Sequence, residues 1–302
     1  MADNFRAPDL MGGVMQARLS TGPMRCGLAC ACLLLLPLAG HAQRGNMRNV
    51  SYLDDLGNQM MDWPIAPAFK EDIFTFARLR YQNGAGGFGR GRGGGRGWTD
   101  DSPLADNMLA FRVHQITSVQ VRPGMNPIDI TKEDLAKFPF VFIAGVSGMA
   151  LHEQEIVALR EYLLNGGFMM VDDFWGDAAW TRFAAEMRRI FPGREPVELS
   201  LDHPIFHTVY NFKTKPQMPT AGVFSSFGIY YDPNWDYDVM GHDPHYFTIS
   251  DDKGRIMVLI CHNNHYGDGW EHEGDDPTYF HAISEGMAYP MFINILVYAM
   301  TH

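Results

Sequence analysis

Two adjacent carboxylates, Asp172 and Asp173, end the run Gly166-Gly167-Phe168-Met169-Met170-Val171. Acids placed where a buried strand gives out can serve as a general base or a cation ligand. Neighbouring positions on a strand point to opposite faces, so the two are not expected to act as one acid–base pair. One is expected to reach a crevice, and the other to cap the following helix or accept from a loop amide. A second group of chemistry-bearing residues follows the last apolar run: Cys261-His262-Asn263-Asn264-His265-Tyr266-Gly267-Asp268-Gly269-Trp270-Glu271-His272-Glu273. Amides, imidazoles, carboxylates and an indole together suit a pocket for a small polar ligand or a carbohydrate. The candidate ligand-binding residues are therefore Asp172, Asp173, His262, Asp268, Trp270 and Glu271. The plain alternative is a loop packed over the sheet.

Histidines recur through the latter half as His203 and His207, His242 and His245, His262 and His265, then His272 and His281. With Asp or Glu nearby in each case, neutral imidazoles at spacings of three and four are a source of ligands for a divalent metal. In loops that spacing fixes no geometry, so dispersed polar or core histidines remain the other reading. Arg90, Arg92 and Arg96 punctuate a glycine-rich stretch after the first apolar segment and offer a weak anion site. No Gly-Lys-Ser/Thr follows and no helix opens directly after the glycines, so a flexible insertion in the first βα loop is the favoured reading of the stretch.

Something must position these groups, and the apolar pattern supplies it. Alternation over 73–81 predicts a first strand, Ser102-Pro103 a helix start, and 104–114 the helix. Short strands are expected at 118–121 and 128–130, with a capped helical turn after Thr131. Continuous apolar runs at 138–145 and 168–171 predict strands buried on both faces. Helices are expected at 151–165, stopped by Gly166-Gly167, and at 177–191. Residues 213–250 read as an irregular excursion with a hairpin, 254–262 as a core strand, and 286–299 as a final helix. This order predicts an α/β fold: a mostly parallel sheet with helices on both faces, whose polar exits gather at the carboxyl ends of the strands.

Before that domain, Arg25 precedes an apolar run over 26–39, and Gly40-His41-Ala42 places small residues at a cleavage position. The run is short for a membrane span, and it predicts a signal peptide over 1–42, with an uncleaved anchor as the alternative. An extended arm over 43–71 and an α/β domain over 72–302 follow. The expected protein is exported, periplasmic or envelope-associated, without a membrane span once cleaved. Three of the four cysteines fall in the leader, which leaves Cys261 alone and excludes an intramolecular disulfide. A formal net charge of −11 repels phosphate backbones and argues against nucleic acid as a partner. An envelope protein or a small polar ligand is expected instead.

Taken together, Phe74-Thr75-Phe76-Ala77-Arg78-Leu79-Arg80-Tyr81, Phe138-Pro139-Phe140-Val141-Phe142-Ile143-Ala144-Gly145, Gly166 through Asp173, His203-Pro204-Ile205-Phe206 and the terminal Asn294-Ile295-Leu296-Val297-Tyr298-Ala299-Met300-Thr301 resemble the DUF4159 family over roughly 72–302. The resemblance implies a flavodoxin-like sheet similar to class I glutamine amidotransferase domains, with no assigned activity. Those amidotransferases present a cysteine on a tight elbow flanked by small residues. The matching strand here ends Met170-Val171-Asp172-Asp173-Phe174, without Cys, Ser or small neighbours. Gly145-Val146-Ser147-Gly148-Met149 lacks the second elbow glycine, and Cys261 ends a different strand. The leading expectation is thus a non-catalytic ligand- or partner-binding module. A carboxylate/histidine hydrolase, metal-assisted or not, is the alternative.

Overall fold

A computed structural model describes residues 63–70, 72–83, 97–221, 224 and 243–302. The expected leader, the first part of the arm, His242 and the glycine-rich stretch with Arg90, Arg92 and Arg96 lie outside them. In chain order the elements are β1 (Ala77–Arg80), β2 (Gln82–Asn83), α1 (Leu104–Ile116), β3 (Asn126–Asp129), α2 (Lys132–Leu135), β4 (Phe140–Ile143), β5 (Met149–Ala150) and α3 (Glu153–Leu164). Then come β6 (Phe168–Val171), α4 (Gly176–Ile190), β7 (Val197–Glu198), β8 (His245–Ser250), β9 (Ile256–His262), α5 (Tyr266–Glu271) and α6 (Tyr289–Thr301).

The main sheet has the order β3-β1-β4-β6-β9-β8-β7. Its first five strands are mutually parallel, while β8 and β7 extend the sheet antiparallel. Numbered by themselves, the parallel strands run 2-1-3-4-5, the order of the flavodoxin-like doubly wound sheet. β2 and β5 form a separate antiparallel pair.

Burial explains why the runs without alternation became strands. Every residue of β4 and β6 is buried, as both faces of the sheet are covered. Phe140, Phe142, Phe168 and Met170 join a core that includes Met108, Leu109 and Val113 of α1 and Phe292 and Ile295 of α6. The intervening Val141, Ile143, Met169 and Val171 face a second core with Ile156, Leu159 and Leu163 of α3 and Phe183, Met187 and Ile190 of α4. In α4 the spacing of Ala179, Phe183, Met187 and Ile190 keeps one stripe against the sheet. No helix among the described residues is long and apolar enough to cross a membrane.

Three local expectations need correcting. Residues 118–121 contribute only an isolated bridge, Phe74 to Val121, and the edge of the sheet is taken by β3. That strand contains Pro127, which an edge position tolerates because no second neighbour requires its missing N–H. Ser102 does not cap α1. The Ser102-Pro103 peptide is cis, the Ser102 hydroxyl donates to the Thr99 carbonyl at 2.8 Å, and the helix starts at Leu104. The last helix is preceded by a π-helical stretch, Phe280–Ala288, so the helical chain reaches back beyond Gly286.

Because the five strands run the same way, the exits after β1, β4, β6 and β9 share one rim. Tyr81 ties two of them together: its hydroxyl lies 2.9 Å from the Ala144 carbonyl oxygen and 2.7 Å from that of Gly145.

Candidate functional site

At the end of β9 the chain turns through Asn263, whose φ is +56°. Its side chain holds the turn: Oδ1 accepts from the Gly176 amide at 3.0 Å and Nδ2 donates to the Asp243 carbonyl at 2.9 Å. The turn delivers His265 into the rim just ahead of α5. His265 Nε2 lies 2.8 Å from Asp101 Oδ2 and 3.6 Å from Asp173 Oδ1, and its Nδ1 lies 3.5 Å from Asp268 Oδ2. All four residues are buried, each at most 9% exposed.

Each carboxylate arrives from a different element. Asp268 sits three residues after His265, and His272 four after Asp268, which puts them on one side of a helical turn. Asp268 is fixed by the Ala221 amide, which donates to Oδ2 at 2.7 Å. Asp101 and Asp173 follow β1 and β6 and adopt φ values of +60° and +55°. Together with Asn263 they are the non-glycine residues with positive φ among the described residues. Side chains enter that region rarely, at a cost of about 1–3 kcal/mol each, and such strain gathers at functional sites.

Strand alternation holds through Val171, and the left-handed turn at Asp173 then changes the aim of the acid pair. Asp172 is fully buried, and its Oδ2 accepts from the Gly267 amide at 3.2 Å. It therefore meets the start of α5, not the helix that follows it in sequence. Asp101 lies against the bare Cα of Gly267, where an added Cβ would stand 1.9 Å from Oδ2.

Asp101 owes its position to Arg78. This fully buried arginine forks onto Asp106 of α1, with Nη2–Oδ2 at 2.7 Å and Nε–Oδ1 at 3.0 Å. Its Nη1 donates to the carbonyls of Trp98 and Asp100 at 3.2 and 3.0 Å, which pins the turn that leads into Asp101. With its charge matched by Asp106, Arg78 leaves most of the neutralisation at the rim to His265.

The electrostatics follow from burial. Desolvation works to lower the His265 pKa, but Asp101 above all, then Asp173 and Asp268, outweigh it and hold it well above the usual imidazole range. Burial opposes ionisation of Asp101, yet His265 and Arg78 win and hold it at about 2. Burial pushes Asp172 up to about 7 and Asp173 well above the carboxylate range, in both cases against the pull of His265. Glu271, nearer the surface, is pushed up to about 7 by burial and then by Asp101. One imidazolium is shared by more acid than it can neutralise. Buried Asp172 Oδ1, Asp173 Oδ2 and His265 Nδ1 have no hydrogen-bond partner. Ligand atoms of Asp101, His265 and Asp268 lie within 4.8 Å of one another, close enough to share a metal ion.

The structure thus brings together Asp172, Asp173, Asp268 and Glu271 of the sequence-derived candidates, and leaves out His262 and Trp270. His262 faces α4: its ring packs 4.8 Å from Phe174 and 5.2 Å from Trp180, and Nε2 lies 3.3 Å from the Gly176 carbonyl oxygen. Burial lowers its pKa to about 4. Trp270 is fully buried under α5 against Phe76, Phe142, Tyr266 and Phe292, so its indole is core. Cys261 is likewise buried, and desolvation raises its thiol pKa well above normal, away from nucleophilic use. Sequence reasoning missed Asp101, and it named His265 and His272 only among the histidines that could supply ligands to a metal. The spacing His265-x-x-Asp268-x-x-x-His272 carried a signal for the last two; nothing local marked Asp101.

A family model described as "Domain of unknown function (DUF4159)" matches residues 75–300. Comparison with curated proteins gave no match.

Proposed function

The chain belongs to the DUF4159 family, and from that premise we propose that it is a ligand-binding α/β domain whose ligand is a divalent cation, held at the rim by His265 and Asp268, with Asp101 bracing the imidazole. One observation carries this reading: a single buried histidine meets three buried carboxylates, with its own Nδ1 and Asp173 Oδ2 left unpartnered. Carboxylates taken out of water repel one another and are costly unless protons or a cation neutralise them. Imidazole plus carboxylate oxygens suits zinc or manganese better than a purely oxygen-seeking ion.

A second reading, hydrolysis, draws on the 2.8 Å pairing of Asp101 with His265, an arrangement shared with general bases. The carboxylates favour the protonated ring, so His265 must give up a proton to serve either as a base or as a metal ligand. The unpartnered Nδ1 facing Asp268 favours the ligand role.

Thermal unfolding of the full chain with added Mn²⁺ tests it. At an ion concentration about 100-fold above Kd, linkage gives about 2.7 kcal/mol and a rise of roughly 5–10 °C in Tm. The His265→Gln variant should lose most of that rise. A wild-type Tm indifferent to Mn²⁺ and Zn²⁺, or an equal rise in the variant, contradicts the reading.

A further inference from the structure

The cluster does not end at Asp268 Oδ2. The other oxygen, Oδ1, faces His272 Nε2 at 3.7 Å, and the same nitrogen lies 3.6 Å from Glu271 Oε2. Asp268, Glu271 and His272 thus form a second set whose ligand atoms lie within 4.8 Å of one another, and Asp268 belongs to both sets.

The two histidines are arranged alike. His265 meets Asp101 through Nε2 at 2.8 Å, which leaves Nδ1 facing Asp268 Oδ2. His272 meets Asp275 through Nδ1 at 2.6 Å, which leaves Nε2 facing Asp268 Oδ1. In each case a carboxylate braces one ring nitrogen and turns the other toward an oxygen of the same central acid. Metal-bound histidines are oriented in this way, the N–H on the far side being held by a carboxylate. The gaps of 3.5 and 3.7 Å between nitrogen and oxygen are long for hydrogen bonds. They suit two atoms that each stand ~2.0–2.2 Å from an ion between them. An independent sign is that His265 Nδ1, on a residue 6% exposed, points into this gap with no partner.

From this geometry we propose a two-ion centre in which Asp268 bridges an inner divalent cation, held at Nδ1 of the His265 ring that Asp101 braces from its far side, and an outer one, held with His272 and Glu271. The proposal rests on the cation-binding reading above and specifies its stoichiometry and its bridge. Asp268 is suited to the role because its carboxylate is locked by the Ala221 amide while its two oxygens look toward different imidazoles. Paired ions in such sites stand ~3.5–4 Å apart and interact strongly. The inner position is enclosed. The outer opens to solvent through Glu271 and His272, whose side chains are 27% and 32% exposed. Entry is therefore from the His272 side.

The test is a Mn²⁺ titration of the metal-stripped full chain, with bound ion counted by equilibrium dialysis and coupling read by electron paramagnetic resonance. Wild type should take two Mn²⁺ per chain and show an exchange-coupled signal. His272→Ala should bind one and give the six-line signal of an isolated ion; Glu271→Gln should weaken the outer ion at least tenfold. Asp268→Asn should lose the coupling. Should that buried substitution fail to fold, His272→Ala at the half-exposed rim decides alone. A wild-type stoichiometry of one, or two ions retained in His272→Ala, overturns the two-ion proposal and leaves the single-cation reading standing. No bound Mn²⁺ at all overturns both.

Discussion

His265 and His262 stand three residues apart and have opposite fates, and the difference is set by side-chain direction alone. The last residue of a strand still obeys alternation, so His262 follows its face into the aromatic group of Phe174 and Trp180. His265 lies beyond the left-handed turn at Asn263 and escapes that rule. The assignment of His262 to the core has a pH consequence. Its folded pKa of about 4 lies below the ordinary 6.5, so the unfolded chain binds the proton first. Its contribution is fully present above pH 6.5 and is lost as pH falls toward 4, an effect on the order of 3 kcal/mol. His262→Phe should flatten the stability profile across that window relative to wild type, measured by urea unfolding at a series of pH values. Parallel profiles for the two proteins contradict the assignment. In the sequence both histidines carried the same local signal. What separated them was a positive φ at an asparagine, which composition and spacing do not reveal.

Among the elements, α5 does most to build the rim, and it was the hardest to read. Its six residues include Gly267 and Gly269, poor helix formers that make the segment look like a loop. Gly267 is required by the close approach of Asp101, a contact made across the fold. The long apolar runs were legible because burial on both faces of a sheet leaves no polar position to confuse the pattern. Residues 97–101 were not, since their path is dictated by Arg78 beneath them. A second close approach fixes that path: Gly145, at φ +67°, would place a Cβ 2.6 Å from the Gly97 carbonyl oxygen. Gly145→Ala must therefore strain the backbone and push the turn that carries Asp101. We expect a loss of about 2–4 kcal/mol in urea unfolding, with weaker Mn²⁺ binding. A loss below about 1 kcal/mol with unchanged binding contradicts this role for the turn.

Across the whole molecule, one topological fact organises the chemistry. With five strands parallel, the exits after β1, β6 and β9 must emerge on the same side, and Asp101, Asp173 and His265 meet there although 164 residues separate the first from the last. That convergence was legible in the sequence as an expectation about strand direction. The identity of the meeting residues was not, because two of the three sit in turns whose shape depends on partners far along the chain. The central question is whether the negative charge gathered at this rim attracts a metal ion. Crystals of the full chain soaked in Mn²⁺ and measured at the manganese absorption edge give the most direct answer. The expected result is an anomalous peak bonded to Asp268 and to the Nδ1 atom of His265. Crystals whose rim remains without a peak, or whose manganese sits only on exposed acids elsewhere, contradict it.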